Sequence, residues 1–137
     1  MKIVFKTAED LEDYAAGFAQ QLGVGSVLIL SGVMGAGKTT FVKGLARGLG
    51  ATSPVSSPTY TYIHQYQTPQ GVLVHIDAYR LVDAKKLWQM GLAEYLETAF
   101  AVVIEWGEAL LEEIPEAQLI RFMVREDARQ LEFYARR

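Results

Sequence analysis

Residues 32–39, Gly32-Val33-Met34-Gly35-Ala36-Gly37-Lys38-Thr39, fit the phosphate-loop pattern G-x-x-x-x-G-K-[ST] at every fixed position. The apolar run from Ser26 to Leu30 precedes it and has the branched side chains of a buried strand. A helical pattern follows, with one apolar face made by Phe41, Val42, Leu45, Ala46 and Leu49, and Gly50 ends it. A strand, a glycine-rich loop and a helix in this order predict a nucleoside triphosphate site.

Each part of the loop has a chemical reason. Glycines allow successive main-chain amides to approach phosphate oxygens, and the start of the helix adds unpaired N–H groups and a positive dipole end. We expect Lys38 to bind the β- and γ-phosphates, Thr39 to give its hydroxyl to Mg²⁺, and Thr40 to donate to the α-phosphate. The predicted phosphate-binding positions are Met34, Gly35, Ala36, Gly37, Lys38, Thr39 and Thr40.

Composition limits the class of protein. The 137 residues indicate one domain, residues 1–137, with 50% hydrophobic and 21% charged residues. The net charge of −3 gives no general attraction to nucleic acid or anionic membranes, and the absence of cysteine excludes disulfides and thiolate sites. There is no signal-peptide pattern and no apolar run long enough to span a bilayer, so we expect a cytoplasmic protein without membrane contact.

The remaining patterns predict an α/β protein. Residues 2–6 form a short strand, Thr7 caps a helix that ends near Gly23, and residues 51–59 form a loop. Further predictions are a hairpin of Tyr60–Tyr66 and Val72–Asp77, a helical segment 83–97 interrupted at Gly91, a strand Ala99–Ile104, a short helix to Glu113, and a hairpin of Gln118–Val124 and Gln130–Tyr134. The expected architecture is a three-layer fold like that of P-loop NTPases, whose mixed sheet has a parallel centre and antiparallel hairpins.

Hydrolysis would need carboxylates and a group that senses the γ-phosphate. Glu105 ends an apolar strand, where a glutamate can hold a Mg²⁺-bound water or orient the attacking one. Asp77 is the second acid, and on a strand His75 points the same way as Asp77, opposite to Val72, Val74 and Ile76. His75 fits a hydrogen-bonded structural histidine better than a catalytic base, and Arg80 fits a phosphate, a partner or a surface ion pair equally well. Thr59 lies where switch segments of small phosphate-loop proteins lie, although an ordinary turn explains it as well.

Four motifs in this order and spacing resemble the TsaE family, also called YjeE or YdiB. They are Gly35-Ala36-Gly37-Lys38-Thr39-Thr40, Ser57-Pro58-Thr59-Tyr60, His75-Ile76-Asp77-Ala78-Tyr79-Arg80 and Ile104-Glu105-Trp106. Members of this family are small bacterial ATPases required for the threonylcarbamoyladenosine modification of tRNA next to the anticodon. The similarity extends from the N-terminal helix to the segment around Arg129, while Val33 and Met34 stand where members usually carry an acidic residue and leucine.

The resemblance implies roles for particular residues. Lys38, Thr39 and the loop amides would hold ATP and Mg²⁺, with Glu105 as a further metal ligand. Thr59 would belong to a switch-like loop, Asp77 and Glu105 would be the acids on which turnover depends, and Trp106 would fix the surroundings of Glu105. Glu9 and Arg129 match positions that lie towards the nucleotide. The implied partner is the TsaB–TsaD pair, which ATP turnover would reset, and tRNA would be met only through these partners.

Three other functions compete with this reading. A small-molecule kinase would need an acceptor site and a lid with an arginine, for which 137 residues leave little room. A GTP-dependent switch would need an Asn-Lys-x-Asp motif, and the chain has no asparagine. An ATP-dependent assembly factor would need nucleotide occupancy and no turnover.

Overall fold

The computed structural model describes residues 1–33, 35–52, 63–78 and 85–134. The described strands are β1 (Lys2–Phe5), β2 (Ser26–Ser31), β3 (Ile63–Thr68), β4 (Gly71–Asp77), β5 (Ala101–Glu105), β6 (Gln118–Arg125) and β7 (Ala128–Tyr134). The described helices are α1 (Ala8–Phe18), α2 (Lys38–Leu49), α3 (Lys85–Gln89) and α4 (Leu92–Thr98), and short 3₁₀ helices lie at Ala19–Gln21 and Glu108–Leu110.

The strands form one mixed sheet in the order β1-β7-β6-β2-β5-β4-β3. The four central strands β6, β2, β5 and β4 run parallel, while β3 pairs antiparallel with β4, and β7 pairs antiparallel with both β6 and β1. Because parallel strands end at the same edge, the phosphate loop after β2 lies beside the carboxyl ends of β4, β5 and β6. The predicted parallel centre with antiparallel hairpins is confirmed.

Both faces of the sheet are covered, which gives three layers. Residues that alternate along the central strands divide between two cores: Leu28, Leu30, Leu73 and Val103 pack with α1 and α2, whereas Val27, Ile29, Val74 and Val102 pack with α3 and α4. We call the first the loop-side core, because it contains Phe41, Leu45 and Leu49 of the helix that follows the phosphate loop. Burial on both faces explains why β2 and β5 are almost continuously apolar.

Helix α1 begins as the sequence predicts. The Thr7 hydroxyl accepts a hydrogen bond from the Asp10 amide at 3.0 Å, and the acidic residues of the first turn complement the helix dipole. Leu11, Ala15 and Phe18 face the core, and the chain then tightens into a 3₁₀ turn before β2.

Helices α1 and α2 pack closely because α2 presents glycine to α1. A Cβ on Gly44 would overlap the carbonyl oxygen of Glu12, and a Cβ on Gly48 would overlap that of Ala16. Arg47 lies between these glycines and binds the carboxylates of Glu12 at 2.8 Å and Asp13 at 2.6 Å. The phosphate loop is therefore fixed to a rigid helical pair.

Several boundaries differ from the predictions. The strand predicted from Ala99 to Ile104 begins at Ala101 and includes Glu105, and the second strand of the last hairpin begins at Ala128 rather than Gln130. The short helix predicted up to Glu113 is only a 3₁₀ helix of three residues followed by turns. Hydrogen bonds of the 3₁₀ type continue from it to the Glu113 amide. Gly91, with a φ of 97°, separates α3 from α4. Within the described part of the chain, no helix combines the length and apolar character needed to cross a membrane.

Candidate functional site

The phosphate loop connects the end of β2 to the start of α2 and is held between β6 and α1. Gly32 has a φ of 138°, and a Cβ there would overlap the carbonyl oxygen of Phe122. Gly37 has a φ of 109°, and its Cβ would lie 2.6 Å from Cδ2 of Leu11. These two positions accept only glycine, which explains the fixed glycines of the pattern by packing as well as by phosphate chemistry.

Helix α2 begins directly after the loop. Its first main-chain hydrogen bond of the α type runs from the Phe41 amide to the Gly37 carbonyl oxygen at 2.9 Å, and its N-cap residue, Gly37, has no side chain that could accept from the first turn. The amides of Lys38, Thr39 and Thr40 therefore precede the helical ladder. They are suited to an anion at the predicted position, since the positive end of the helix dipole points the same way.

Lys38 is a buried cation. Lys38 is only 4% exposed, and its ammonium donates to the Gly32 carbonyl oxygen at 2.5 Å. The same ammonium lies 3.5 Å from the centre of the Trp106 ring, which is a cation–π contact. Burial lowers the pKa of Lys38, while the charges of Glu105, Glu108 and Asp77 act in the opposite direction. No carboxylate of the described residues forms a salt bridge with it.

The two predicted acids lie side by side at the loop edge of the sheet. Asp77 and Glu105 are directly paired in the register of β4 and β5, and Leu30, just before the phosphate loop, is the partner of Glu105 on the other side. The Ala78 amide donates to the Glu105 carbonyl oxygen at 2.9 Å, which joins the two strand ends. Glu105 is 6% exposed. Both carboxylates are near enough to act on the Lys38 charge.

His75 is buried, so both faces of β4 are covered at this position. Leu73 on the same face packs in the loop-side core, and His75 is 0% exposed. The predicted orientation common to His75 and Asp77 follows from strand alternation. Its Nε2 lies 2.5 Å from Oε2 of Glu105. The prediction of a hydrogen-bonded histidine is confirmed, whereas the identity of its partner could not be read from the sequence.

Trp106 has an unusual backbone. Its φ of 64° lies in the left-handed region, which is rare for a bulky residue and is usually maintained by its surroundings at functional sites. Its amide donates to the Leu30 carbonyl oxygen at 3.1 Å, so the residue after β5 turns back towards β2 and places its ring against Lys38. This contact and the charge of Glu108 on Lys38 were missed by the sequence analysis, because no local pattern marks either of them.

A cavity of about 190 Å³ lies beside the loop. It is bounded by the start of α1, the loop and the turn between β6 and β7, and its lining residues are Lys6, Thr7, Ala8, Leu11, Gly35, Gly37, Thr40, Asp127 and Arg129. Arg129 Nε donates to the Gly35 carbonyl oxygen at 3.2 Å, which ties the last hairpin to the loop. Glu9 is exposed in the first turn of α1 and is not among the lining residues.

The structure thus brings together Gly35, Ala36, Gly37, Lys38, Thr39, Thr40, Asp77, Glu105 and Arg129 at one edge of the sheet. Met34, Thr59, Tyr79 and Arg80 lie outside the described residues, as do Ser57 and Pro58. Among the residues that the structure describes, no group of three His, Cys, Asp or Glu side chains is arranged to hold a metal ion.

Comparison with known proteins gives a consistent result. The sequence profile of the family described as "Threonylcarbamoyl adenosine biosynthesis protein TsaE" matches residues 5–133. A relative from Treponema pallidum, named tRNA threonylcarbamoyladenosine biosynthesis protein TsaE, is 39% identical, and the match covers 85% of each chain. A protein of the same name from Aquifex aeolicus is 44% identical over 78% of this chain and 77% of its own length.

The fold agrees with these matches. The crystal structure of YdiB from Bacillus subtilis superposes with a TM-score of 0.80 at 31% sequence identity, covering 100% of this chain and 86% of that one. The family profile spans every described element from the end of β1 to β7, including the phosphate loop and both acids. The chain therefore belongs to the TsaE family.

Proposed function

We propose that this protein is a Mg²⁺-dependent ATPase that serves the threonylcarbamoyladenosine modification of tRNA. One observation carries the proposal: the buried ammonium of Lys38, at the start of the helix after the phosphate loop, lies in the field of the paired acids Asp77 and Glu105. A cation alone would bind phosphate, whereas a cation next to two aligned carboxylates also provides groups that act on water.

The phosphate chain of ATP is bound by this protein's own groups in the following way. Main-chain amides between Gly35 and Thr40 donate to phosphate oxygens, apart from that of Ala36, which donates to the Val33 carbonyl oxygen at 3.2 Å. Lys38 neutralises charge on the β- and γ-phosphates. The cavity beside the loop takes the sugar and base, with Arg129 at its wall. Gly32 and Gly37 maintain the loop shape, since a Cβ at either position would collide with β6 or α1.

The residues present fit Mg²⁺ in kind. Thr39 and Glu105 supply a hydroxyl and a carboxylate, both hard oxygen donors, and Glu105 lies close enough to the loop to act on Lys38. Mg²⁺ commonly takes one or two protein ligands and completes its shell with water and phosphate oxygens, so a cluster of three acidic side chains is not required. When bound there, the ion would stabilise negative charge on the β- and γ-phosphates.

The two acids share one task in the proposed step, and Lys38 has another. Glu105 and Asp77 orient the attacking water and accept its proton at a carboxylate oxygen, while Lys38 stabilises the charge that develops on the transferred phosphate. Thr59 is proposed to sense the γ-phosphate from the loop after α2. Since these groups belong to separate loops and strand ends, a partner can bring them into register.

Family membership supports a proposal about the pathway and the partners. We propose that the protein acts with TsaB and TsaD in the cytoplasm, that ATP turnover resets their complex, and that tRNA is bound chiefly by those partners. The net charge of −3 supports the last point, because tRNA binding by this chain alone would lack the general electrostatic attraction to phosphate.

The test is ATP turnover by the protein alone and after addition of the TsaB–TsaD pair. We expect slow hydrolysis alone and a clear stimulation by the pair. Lys38→Ala should abolish both, whereas Lys43→Ala, an exposed lysine on the same helix, should retain both. Tight ATP binding without stimulation would instead support an assembly factor that depends on nucleotide occupancy, and fast hydrolysis without partners would contradict partner control.

A further inference from the structure

His75 forms a buried hydrogen bond with Glu105, one of the two proposed acids. His75 is 0% exposed and Glu105 is 6% exposed, so the bond between them is shielded from bulk water. Their contact, Nε2 of His75 to Oε2 of Glu105, measures 2.5 Å, which is shorter than an ordinary hydrogen bond from nitrogen to a carboxylate. Nothing in the proposed binding of ATP uses this histidine.

We propose that His75 is a positioning residue that holds Glu105 in the orientation required for water and Mg²⁺. The inference rests on the function proposed above, and it assigns no direct contact between His75 and nucleotide. His75 would act only through the carboxylate that it binds, as buried partners of metal-binding side chains do elsewhere.

The register of the sheet explains how the contact forms. His75 is paired with Val103, two residues before Glu105, while Asp77 is paired with Glu105 itself. Strand alternation places His75, Asp77 and Glu105 on the same face. The β4 strand therefore presents two side chains to Glu105: a carboxylate beside it and an imidazole diagonally behind it.

The hydrogen-bond inventory fixes the expected tautomer. A carboxylate accepts, so the imidazole must donate from Nε2. Nδ1 of His75 has no hydrogen-bond partner within the described part of the chain. A proton on Nε2 leaves Nδ1 as an unpaired acceptor, whereas a proton on Nδ1 would be a buried donor without a described partner.

The bond also prevents a competing contact. Glu105 and Lys38 attract each other, yet Lys38 donates to the Gly32 carbonyl oxygen and forms no salt bridge with a described carboxylate. With Oε2 bound to His75, Oε1 makes no hydrogen bond to a described side chain. Without His75, Glu105 is free to turn towards Lys38, which would withdraw both charges from the phosphate site.

Spectroscopy tests the bond without reference to activity. The chain has two histidines, so ¹⁵N-histidine labelling gives two rings, and His64→Asn assigns them. We expect His75 to be protonated at Nε2 and unprotonated at Nδ1, and its Nε2 signal to move in Glu105→Gln but not in Glu112→Gln, an exposed control. The proposal would be overturned if the proton were on Nδ1 instead, or if the Nε2 chemical shift of His75 were the same in Glu105→Gln as in the parent protein.

Function is tested with His75→Leu and His75→Gln, with His64→Leu as the matched control. His64 faces His75 across the β3–β4 pair but bonds to Tyr66 at 3.3 Å. We expect His75→Leu to lower kcat about 10- to 100-fold with little change in KM, the usual cost of losing a buried partner of a functional ligand. His75→Gln should recover part of the loss because its amide can donate near the Nε2 position.

Magnesium dependence separates this inference from the proposed function. In His75→Leu, more Mg²⁺ should be needed for half-maximal binding of a non-hydrolysable ATP analogue, while His64→Leu should match the parent protein. If the parent protein binds nucleotide but never hydrolyses it, the ATPase proposal fails and this titration still decides the role of His75. Unchanged Mg²⁺ dependence in both His75 variants would refute the positioning role. If His75→Leu does not fold, His75→Gln and the ¹⁵N spectra carry the test.

Discussion

Lys38 combines two properties that a folded protein normally separates, a full charge and near-complete burial. Its ammonium is compensated by the Gly32 carbonyl oxygen and the face of the Trp106 ring rather than by a carboxylate. A buried charge without an ion partner costs folding free energy and is usually retained for function. The residue is therefore the most direct point at which to test binding.

Lys38→Ala is expected to abolish detectable ATP binding, because it removes the only buried cation among the residues described at the loop. The measurement is the Kd for ATP by isothermal titration, with Lys43→Ala as the exposed control on α2. Retention of affinity in Lys38→Ala would mean that the loop is not the phosphate site.

Glu105→Gln is expected to keep ATP binding and to reduce turnover by about 100-fold or more, in the range for loss of a group that handles the proton of the attacking water. The substitution keeps the shape and can still accept from His75, so folding should be preserved. Turnover with saturating ATP is the readout, and Glu112→Gln is the control. Normal hydrolysis by Glu105→Gln would transfer the role to Asp77.

At this scale, the sequence predicted the residues whose chemistry is local. The glycines, Lys38 and the acids at strand ends follow from a motif and from strand endings. The positive φ of Trp106 and the contact between His75 and Glu105 could not be predicted, because each depends on a neighbouring strand that a single-sequence pattern does not specify.

Among the elements, the pair α1 and α2 supports the loop most directly. Gly44 and Gly48 allow the two helix backbones to touch, and Arg47 between them joins the acidic side chains of α1. Because α1 also contributes Leu11 next to Gly37, a displacement of α1 would reach the phosphate loop.

Gly48→Ala is expected to destabilise the protein by about 1–3 kcal/mol, the usual cost of overpacking, because its Cβ would meet the backbone of Ala16. The matched control is Gly17→Ala on α1, where a Cβ meets nothing within 4 Å. That control should stabilise by about 0.5–1 kcal/mol, since alanine favours helix over glycine. Urea unfolding measures both, and equal effects would show that helix contact is not limiting.

The elements themselves were largely predictable, and their ends were less so. The Thr7 cap, the phosphate-loop helix and both hairpins follow from strong local patterns and are confirmed. The segment after Gly107 was predicted as a short helix to Glu113. It forms a 3₁₀ helix of only three residues, Glu108–Leu110, and turns then lead past Pro115 to β6.

For the molecule as a whole, the site is a junction of distant parts of the chain. The loop after β2, the start of α1, the ends of β4 and β5, and the β6–β7 turn all meet there. Sheet order could not be predicted from sequence, because the pairing of β1 with β7 joins residues 2–5 to residues 129–132 and has no local signal. Family resemblance alone pointed to Arg129.

ATP with Mg²⁺ is expected to raise the thermal stability of the whole domain, because a ligand that binds only the folded state adds about 2.7 kcal/mol at 100 times its Kd. Arg129→Ala should reduce this shift, since it removes the contact between the last hairpin and the Gly35 carbonyl. Arg125 is exposed on the other side of the same turn, and Arg125→Ala should leave the nucleotide-induced shift unchanged. Thermal melts with and without nucleotide are the measurement, and equal shifts in both variants would exclude a role for Arg129.

The contact between Lys38 and Trp106 has an optical consequence. The chain has two tryptophans. Both pack against the core that contains Val27 and Ile29, but among the described residues only Trp106 has a lysine ammonium over its ring. Indole emission responds to nearby charge, and the Lys38 ammonium stands 3.5 Å from the centre of one ring. We expect any turn of that ammonium towards a phosphate to change the emission of Trp106 more than that of Trp88, so Trp106 would serve as a built-in fluorescent indicator of an occupied loop.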